Sequence, residues 1–232
     1  MKIDKNINSK RSSWKFDAKV AKNFKSHAEK SIPFYNLSHD IVESLSEYFV
    51  KKNSICYDLG CSQGLLLKKI FLKNKEKKPH MIGIDNSKDM ISLAKKNFNK
   101  AVYLKKNLNE IKFKKNDFMI SLYTIQFVEP KYRQALINNI YKSLNWGGAF
   151  VFFEKIRGSD SRFQDLLTFL YFDFKRKNGL KDNQILNKEI SLRSVLEPYT
   201  INENISFLKR AGFKDIMPIS QYLNFVGFLA IK

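Results

Sequence analysis

The fold of this chain is decided by one stretch, Ser54-Ile55-Cys56-Tyr57-Asp58-Leu59-Gly60-Cys61-Ser62-Gln63-Gly64. In it, an apolar run leads directly into a glycine-punctuated turn, and a segment with helical periodicity follows. Gly60 and Gly64 let the backbone turn sharply and approach a ligand closely, because they carry no Cβ. The stretch therefore predicts a β-strand, a ligand-binding turn and a helix whose first N–H groups face the ligand.

A second acid, Asp85, ends the next apolar run, where a carboxylate at a strand tip can accept the hydroxyls of a ribose. The residue types between the strands decide which nucleotide is expected. The middle glycine of the dinucleotide fingerprint is Ser62 here, and the carboxylate of Asp58 would repel a pyrophosphate but suits an ammonium group. The pattern favours S-adenosylmethionine (SAM) over NAD or FAD. The alternative is that Gly60 and Gly64 only tighten a turn and that Asp58 caps the helix.

The composition predicts one globular domain. The chain has 232 residues, of which 44% are hydrophobic, and no apolar run of membrane-spanning length. Its polar N-terminal residues lack a signal sequence, so a cytoplasmic protein with two free cysteines is expected. The formal net charge is +20, but only 7 of the 42 basic residues are Arg. Because phosphate recognition favours Arg, we interpret most lysines as solvated and keep RNA binding as the minority alternative.

Strands and helices alternate in an order that predicts an α/β fold with a mostly parallel sheet. The predicted strands are Ile55–Leu59, Met81–Asp85, Ala101–Leu104, Phe118–Phe127, Ala149–Glu154, Ile216–Leu223 and Phe225–Ile231. The predicted helices are Phe16–Phe24, His39–Tyr48, Gly64–Lys73, Ser87–Asn97, Glu129–Leu144 and Asn202–Arg210. The order resembles the Rossmann-like class I methyltransferase sheet, whose last strand is antiparallel and lies between its neighbours. We expect a single SAM-binding domain over 1–232, with an N-terminal helical cap (1–50) and an inserted lid of two helices (158–198).

Several motifs carry a closer resemblance that extends over nearly the whole chain. They are Tyr57–Ser62, Gly83–Ser87, Gln126–Pro130, Arg133–Leu136, Glu154-Lys155, Asp173–Arg176 with Asn178-Gly179, and Leu208–Phe213. Together they resemble the carboxy-S-adenosylmethionine (carboxy-SAM) synthase family, the CmoA proteins. The resemblance implies an enzyme of the SAM-dependent methyltransferase superfamily that converts SAM and prephenate to carboxy-SAM and phenylpyruvate. A partner enzyme then uses carboxy-SAM to build 5-oxyacetic acid on the wobble uridine of certain tRNAs.

The resemblance also implies the partners and the cofactor contacts. Family members are generally homodimers, need no metal and need not contact tRNA themselves. With Asp58, the cofactor-binding positions are Tyr35, Gly60, Cys61, Ser62, Asp85, Asn86, Asn107, Leu108 and Leu122. Tyr35 would reach the cofactor from the cap, residues 60–62 would surround its methionine portion, and Asp85 with Asn86 would contact ribose and adenine. The alternatives are that Tyr35 packs within the cap and that Asp85 is a solvated acid.

Three positions depart from the family pattern. Asn107 stands in place of an acid, and Leu122 in place of an asparagine. Glu189 stands where the family has the arginine that pairs with the added carboxylate, and a carboxylate there would repel it. Arg193 would lie one helical turn away, so it is the candidate carboxylate-binding residue, with Lys188 second. The alternative is that both are solvated surface charges.

These departures leave two further functions open. One is an ordinary SAM-dependent methyltransferase, and the other is a non-catalytic SAM-binding or RNA-binding module. The sequence identifies no catalytic residue. It also leaves open whether the aromatic residues of the insertion form a dimer interface or bury the lid on the core. These residues are Phe163, Phe169, Tyr171, Phe172 and Phe174.

Overall fold

The computed structural model describes residues 10–14, 16 and 18–232, without the side chain of Lys19. The parts of the predicted cap at residues 1–9, 15 and 17 lie outside the described residues. Two cap helices are described, α1 at Ala18–Ser31 and α2 at Tyr35–Phe49. Helix α1 begins later than the predicted helix Phe16–Phe24, and α2 begins earlier than the predicted helix His39–Tyr48.

A sheet of seven strands forms the centre of the protein. The strands are β1 Ile55–Leu59, β2 His80–Asp85, β3 Val102–Lys105, β4 Asn116–Leu122, β5 Leu144–Lys155, β6 Asp215–Tyr222 and β7 Phe225–Ile231. Their order is β3-β2-β1-β4-β5-β7-β6, and β7 runs antiparallel to both of its neighbours. The pairs among β1 to β5 are parallel. The predicted class I methyltransferase sheet is confirmed.

The remaining helices are α3 Leu65–Lys73, α4 Lys88–Asn97, α5 Pro130–Ser143, α6 Ser161–Lys177, α7 Asp182–Leu192 and α8 Ile201–Ala211. Of these, α3 and α4 follow β1 and β2, α5 lies between β4 and β5, and α6, α7 and α8 follow one another between β5 and β6. Helix α4 begins after Ser87, whose side chain accepts a hydrogen bond from the Met90 N–H, as a helix cap does. The two helices predicted in the insertion are confirmed as α6 and α7. We call this helix pair the lid.

The core lies in two layers, one on each face of the sheet. Along β1, Cys56 belongs to the layer under α2, α3 and α4, whereas Tyr57 belongs to the layer under α5 and α8. This alternation follows from the two-residue period of a strand. Cys56 and Cys61 are both buried free thiols, as predicted.

The predicted strand Phe118–Phe127 is wrong in its second half. β4 ends at Leu122, Tyr123 takes a positive φ of 56°, and a short 3₁₀ turn covers Ile125–Phe127. The cause is the buried carboxylate of Glu154, which accepts the N–H groups of Ile125 at 2.9 Å and Gln126 at 2.8 Å. These bonds satisfy the backbone outside the sheet, so the apolar run leaves it.

Strand β5 is longer than predicted because it begins at Leu144 rather than Ala149. Leu144 pairs with Asn116 on β4, and the register then shifts between Asn116 and Phe118. Leu144, the last residue of the predicted helix, and Asn145 to Gly148, which lie between that helix and the predicted strand, therefore belong to β5. Within the described residues, no helix has the length and apolar content needed to cross a membrane.

Candidate functional site

A cavity of about 570 Å³ lies where the parallel strands β1, β2, β4 and β5 end, with the cap helices and the lid around it. The carboxyl ends of parallel strands are the usual place for ligands in such sheets. The lid reaches the cap directly, since the Tyr171 hydroxyl donates to the Ser31 carbonyl at 2.7 Å. All ten predicted cofactor-binding positions line the cavity: Tyr35, Asp58, Gly60, Cys61, Ser62, Asp85, Asn86, Asn107, Leu108 and Leu122.

The turn after β1 is fixed by β2 and by the loop after β4. The N–H groups of Gly60 and Cys61 donate to the Ile84 carbonyl at 2.8 and 3.0 Å. Gly60 has φ +79°, and a Cβ there would lie 2.1 Å from Thr124 Oγ1. Glycine is thus required both by the backbone conformation and by the close contact with Thr124.

Asp85 ties the ends of β1 and β2 together. One of its carboxylate oxygens accepts the Ser62 N–H at 3.0 Å and the other accepts the Ser87 N–H at 2.9 Å. Burial raises the pKa of Asp85, and the backbone N–H groups act against this rise. Each oxygen keeps a second lone pair, so the carboxylate can still accept a hydroxyl hydrogen bond from a ligand.

Asp58 is the acid at the floor of the cavity. It is 3% exposed, and within the described part of the chain its carboxylate accepts no hydrogen bond. Burial, and then the nearby charge of Asp85, raises the pKa of Asp58 to about 7. A buried carboxylate without a partner is costly, and a cationic ligand group would relieve this cost. The residue fits the ammonium group of an amino-acid-bearing cofactor such as SAM.

Exposed side chains form the outer edge of the cavity. The amide of Asn86 donates to Asn107 Oδ1 at 3.3 Å, and the amide of Asn107 donates to Glu110 Oε1 at 3.0 Å. Leu108 adds a half-buried apolar side chain beside them. The Asn107 carbonyl retains one lone pair, so an adenine amine can still donate to it.

Aromatic residues enclose the inner side of the cavity. The ring of Tyr35 lies 4.7 Å from that of His39 and 6.2 Å from that of Tyr123, measured between centroids. Burial raises the pKa of Tyr35 above its ordinary value and lowers that of His39 to about 4. Both groups are therefore neutral at pH 7. Tyr35 lines the cavity, as predicted, and it also packs within the cap, as the alternative expected.

The loop after β4 is held by a buried polar network. Arg133 donates to the carbonyls of Val128 at 2.7 Å, Glu197 at 2.6 Å and Gln126 at 3.0 Å. Burial above all raises the pKa of Glu154 to about 8, although three backbone N–H groups and Arg133 oppose the rise. The sequence showed Arg133 and Glu154 only as motif residues. The sequence did contain one signal that Glu154 holds this loop, because an acid stands inside a strand that was expected to be buried on both faces.

Of the lysines that form a cationic end of the cavity, sequence reasoning named only Lys188 as a candidate for carboxylate binding. Lys155 on β5, Lys175 on α6 and Lys188 on α7 surround the carboxylate of Glu189. Lys175 Nζ lies 2.8 Å and Lys155 Nζ 4.0 Å from Glu189 Oε1. Both ammonium groups also lie over the Tyr171 ring, at 4.0 Å for Lys175 and 4.7 Å for Lys155. We call these four charged residues the lysine cluster.

Arg193 does not reach the cavity. Helix α7 ends at Leu192, and Arg193 takes the non-helical angles φ −59° and ψ 129°. Its side chain is exposed, and its carbonyl accepts a hydrogen bond from Ser12 Oγ at 2.8 Å. The helical spacing that placed it one turn from Glu189 is therefore wrong. The candidate role of Arg193 in carboxylate binding has no support from its position.

No group of three or more His, Cys, Asp or Glu side chains is placed to hold a metal ion among the described residues. The polar groups of the cavity include carboxylates, amides, lysines and phenols. These suit an organic ligand with an ammonium group at one end of the cavity and anionic groups at the other.

Several known proteins are similar to this chain. The family model described as "Methyltransferase domain" matches residues 56–148. The solved structure of human N-acetylserotonin methyltransferase in complex with SAM is similar with a TM-score of 0.60 and 17% identity, over 97% of this chain and 63% of that one. An O-methyltransferase family protein from Burkholderia thailandensis has a TM-score of 0.65 at 12% identity, over 97% of this chain and 65% of that one. These structures share the fold.

Curated sequences give a closer match. A carboxy-S-adenosyl-L-methionine synthase from Staphylococcus epidermidis is 36% identical over 224 residues, which cover 94% of this chain and 97% of its own length. Proteins of the same name from Campylobacter lari and a Nitratiruptor species are 36% and 37% identical, again over 94% of this chain. The chain therefore belongs to the carboxy-S-adenosyl-L-methionine synthase family, within the superfamily of SAM-dependent methyltransferases.

Proposed function

We propose that this protein converts SAM and prephenate to carboxy-SAM and phenylpyruvate. One observation carries the proposal: similarity to proteins named carboxy-SAM synthase spans 94% of the chain, including the lid with its part of the lysine cluster. A shared fold alone would support no particular reaction. The match through the lid, which faces the cavity, supports this one.

The cavity offers a place for each part of SAM. We assign the ammonium group to Asp58, the methionine portion to the turn at residues 60–62, and the ribose to Asp85. The adenine would lie along Asn86 and Asn107, where amide groups can pair with its edge. Leu108 and Leu122 supply apolar contact. This orientation directs the sulfonium end toward the inner, aromatic part of the cavity.

In this reaction the methyl group of SAM loses a proton and its carbon bonds to CO₂ released from prephenate, which leaves as phenylpyruvate and water. The residues of this chain would shield that carbon from water. Tyr123 and Tyr171 are buried and Tyr35 is half-buried around the inner cavity, and burial raises the pKa of all three above the ordinary value. They therefore stay neutral and enclose the reacting groups without adding negative charge.

The product would serve a partner enzyme that modifies the wobble uridine of tRNA, and direct contact of this protein with tRNA is no part of the proposal. We place this protein in the cytoplasm.

We also propose a homodimer, because the outer face of α6 is apolar. Phe163, Leu166, Phe169 and Leu170 are exposed by 47%, 55%, 67% and 49%. Tyr171, in contrast, is buried, so the aromatic residues of the insertion divide between the two roles.

A second candidate is an ordinary SAM-dependent methyltransferase. It is favoured by Leu122, which gives the cavity an apolar side chain, and by Glu189, which places a carboxylate among the lysines. Both changes weaken the expected match to a carboxylated cofactor.

Mass spectrometry of small molecules released from the freshly purified protein separates these functions. The proposal expects carboxy-SAM. Release of SAM or S-adenosylhomocysteine alone would favour the methyltransferase, and release of no nucleoside would favour a non-catalytic module.

A further inference from the structure

Lys155 is a partly buried cation at the wall of the cavity. It is the last residue of β5, and its side chain is 17% exposed. Its backbone is fixed, since its N–H donates to Gln126 Oε1 at 2.9 Å. Burial lowers the pKa of Lys155, Glu189 opposes that shift, and Arg157 adds to it. Lys155 is thus held in an environment that disfavours its charge.

The carboxylate of Glu189 compensates Lys155 only weakly. It lies 4.0 Å from Lys155 Nζ but 2.8 Å from Lys175 Nζ, and it also acts on Lys188. Among the described residues, the ion pair of Lys155 is thus formed at 4.0 Å with a carboxylate that also acts on Lys175 and Lys188. The Tyr171 ring, 4.7 Å from Lys155 Nζ, adds an attraction of smaller size.

A buried charge with incomplete compensation costs stability unless a ligand supplies the missing charge. Lys155 lines the same cavity as Asp58, the acid assigned to the cofactor ammonium group. The cavity thus has an acidic site and a basic site. This polarity matches a ligand pair that brings an ammonium group to one end and an anion to the other.

We propose that Lys155 binds an organic carboxylate that enters the cavity beside the cofactor, and that Glu189 holds Lys175 in place while Lys155 binds this ligand. The proposal rests on the proposed function for its ligands, and both possible sources share the chemistry. One source is the carboxyl group of carboxy-SAM, and the other is the carboxylate of the second substrate. A lysine would then bind the carboxylate, the role that the sequence suggested for Arg193.

The test uses the full chain and its Lys155→Met variant, which keeps the length of the side chain and removes the charge. Calorimetry would measure the affinity for SAM, for carboxy-SAM, and for phenylpyruvate in the presence of saturating SAM. We expect the variant to bind at least one of the two carboxylate probes roughly 10- to 100-fold more weakly, the scale of a lost charged hydrogen bond. Its affinity for SAM should stay within about threefold of the original value.

The two probes distinguish the sources. A loss confined to carboxy-SAM assigns Lys155 to the carboxyl group on the cofactor, and a loss confined to phenylpyruvate assigns it to the second substrate. Lys155→Arg should retain part of the lost affinity, because a guanidinium group also donates to carboxylates. Lys68→Met is the matched control, since Lys68 is exposed on α3 and lies outside the cavity lining. It should change none of the affinities.

Thermal unfolding separates a binding role from a structural one. Because Lys155 is poorly compensated, the ligand-free Lys155→Met variant should unfold at the same or a higher temperature. A variant that fails to fold, or that unfolds at a clearly lower temperature, would make Lys155 a structural residue and overturn the proposal. Unchanged affinity for both probes, an equal loss for SAM, or no binding of either probe to the original protein would overturn it as well.

Failure of the proposed function gives a different result. If the original protein made no carboxy-SAM from SAM and prephenate but bound phenylpyruvate through Lys155, the carboxylate site would stand and the reaction would be wrong. If it made carboxy-SAM and Lys155→Met had no effect on either probe, the reaction would stand and the carboxylate site would be wrong.

Discussion

Lys175 Nζ lies 2.8 Å from Glu189 Oε1, so an ion pair joins the two helices of the lid. The side chain of Lys175 is 2% exposed and that of Glu189 is 29% exposed. Burial opposes the ionisation of Glu189, but Lys155 and Lys175 outweigh it and lower the pKa to about 2. The sequence suggested that the Glu189 carboxylate would repel a carboxylated cofactor. Within the protein, the positive charges of Lys155 and Lys175 compensate this carboxylate.

The first prediction concerns this ion pair. Glu189→Gln should lower the free energy of unfolding by about 3 kcal/mol at pH 7, because it removes the carboxylate that lies 2.8 Å from the buried ammonium group of Lys175. The double variant Lys175→Met with Glu189→Gln should recover much of that loss. Urea unfolding of both variants and the original protein measures these differences. Equal stabilities of the single variant and the original protein would show that the pair does not hold the lid.

The pH dependence of this loss follows from the pKa of Glu189. Since the pKa is lower in the folded protein than in the unfolded chain, the stabilisation is complete above about pH 4.5 and disappears as the pH falls toward 2. The difference between Glu189→Gln and the original protein should therefore shrink in the same range.

The second prediction concerns Asp58 and cofactor affinity. With a pKa of about 7 in the cofactor-free protein, Asp58 must lose a proton before it can bind an ammonium group well. SAM affinity should therefore rise between pH 5.5 and pH 7.5, by up to about tenfold per pH unit below the pKa. Asp58→Asn should weaken binding at pH 7.5 and abolish the rise. Calorimetry across this range measures it, and the same slope in the variant would show that another group titrates.

The same pKa fixes the sign of the effect on stability. Because burial raises the pKa of Asp58 above its unfolded value of 3.8, the free energy of unfolding of the cofactor-free protein falls as the pH rises from about 4 to 7. Asp58→Asn should therefore be more stable than the original protein at pH 8. A less stable variant would mean that the ionised carboxylate has a partner.

The third prediction concerns the ribose site. Asp85→Ala should weaken SAM binding by roughly 1.5–3 kcal/mol, the scale of hydrogen bonds to a charged group. It should also lower stability, because the N–H groups of Ser62 and Ser87 lose their acceptor. Asp215→Ala, at an exposed acid on β6, is the matched control and should leave the affinity unchanged. Unchanged SAM affinity in Asp85→Ala would place the ribose elsewhere.

The fourth prediction separates strain from contact at Gly60. Gly60→Ala should abolish cofactor binding and destabilise the protein, because its Cβ would lie 2.1 Å from Thr124 Oγ1. Gly147→Ala is the control, since Gly147 has a similar φ of +72° but no atom within 4 Å of the added Cβ. It should cost only about 1–2 kcal/mol of stability and leave SAM affinity intact. If the two variants lost equal amounts of stability and SAM affinity, the close contact with Thr124 would not explain the effect of Gly60→Ala.

Much of the fold and of the cofactor side of the cavity could be predicted from local pattern. β1 begins and ends as predicted, at Ile55 and Leu59, because an apolar run meets a glycine turn there. The cofactor positions meet in one cavity because parallel strands end at the same edge of a sheet. What could not be predicted depends on contacts between distant residues. Glu154 ends β4 early, and the packing of the lid brings Lys155, Lys175 and Glu189 together from three separate elements.

Arg193 shows the limit of helical periodicity at a helix end. The prediction placed it on the face of Glu189, four residues away, but α7 ends one residue before it. Its backbone therefore turns away and its side chain is exposed.

The most direct test of the proposed function is the reaction itself. The purified protein, cleared of bound small molecules, would be incubated with SAM and prephenate, and the products identified by mass spectrometry. We expect carboxy-SAM and phenylpyruvate in equal amounts, no carboxy-SAM when prephenate is omitted, and less carboxy-SAM at limiting SAM when Asp58→Asn replaces the original protein. SAM left unchanged by a folded protein that binds both substrates would contradict the account.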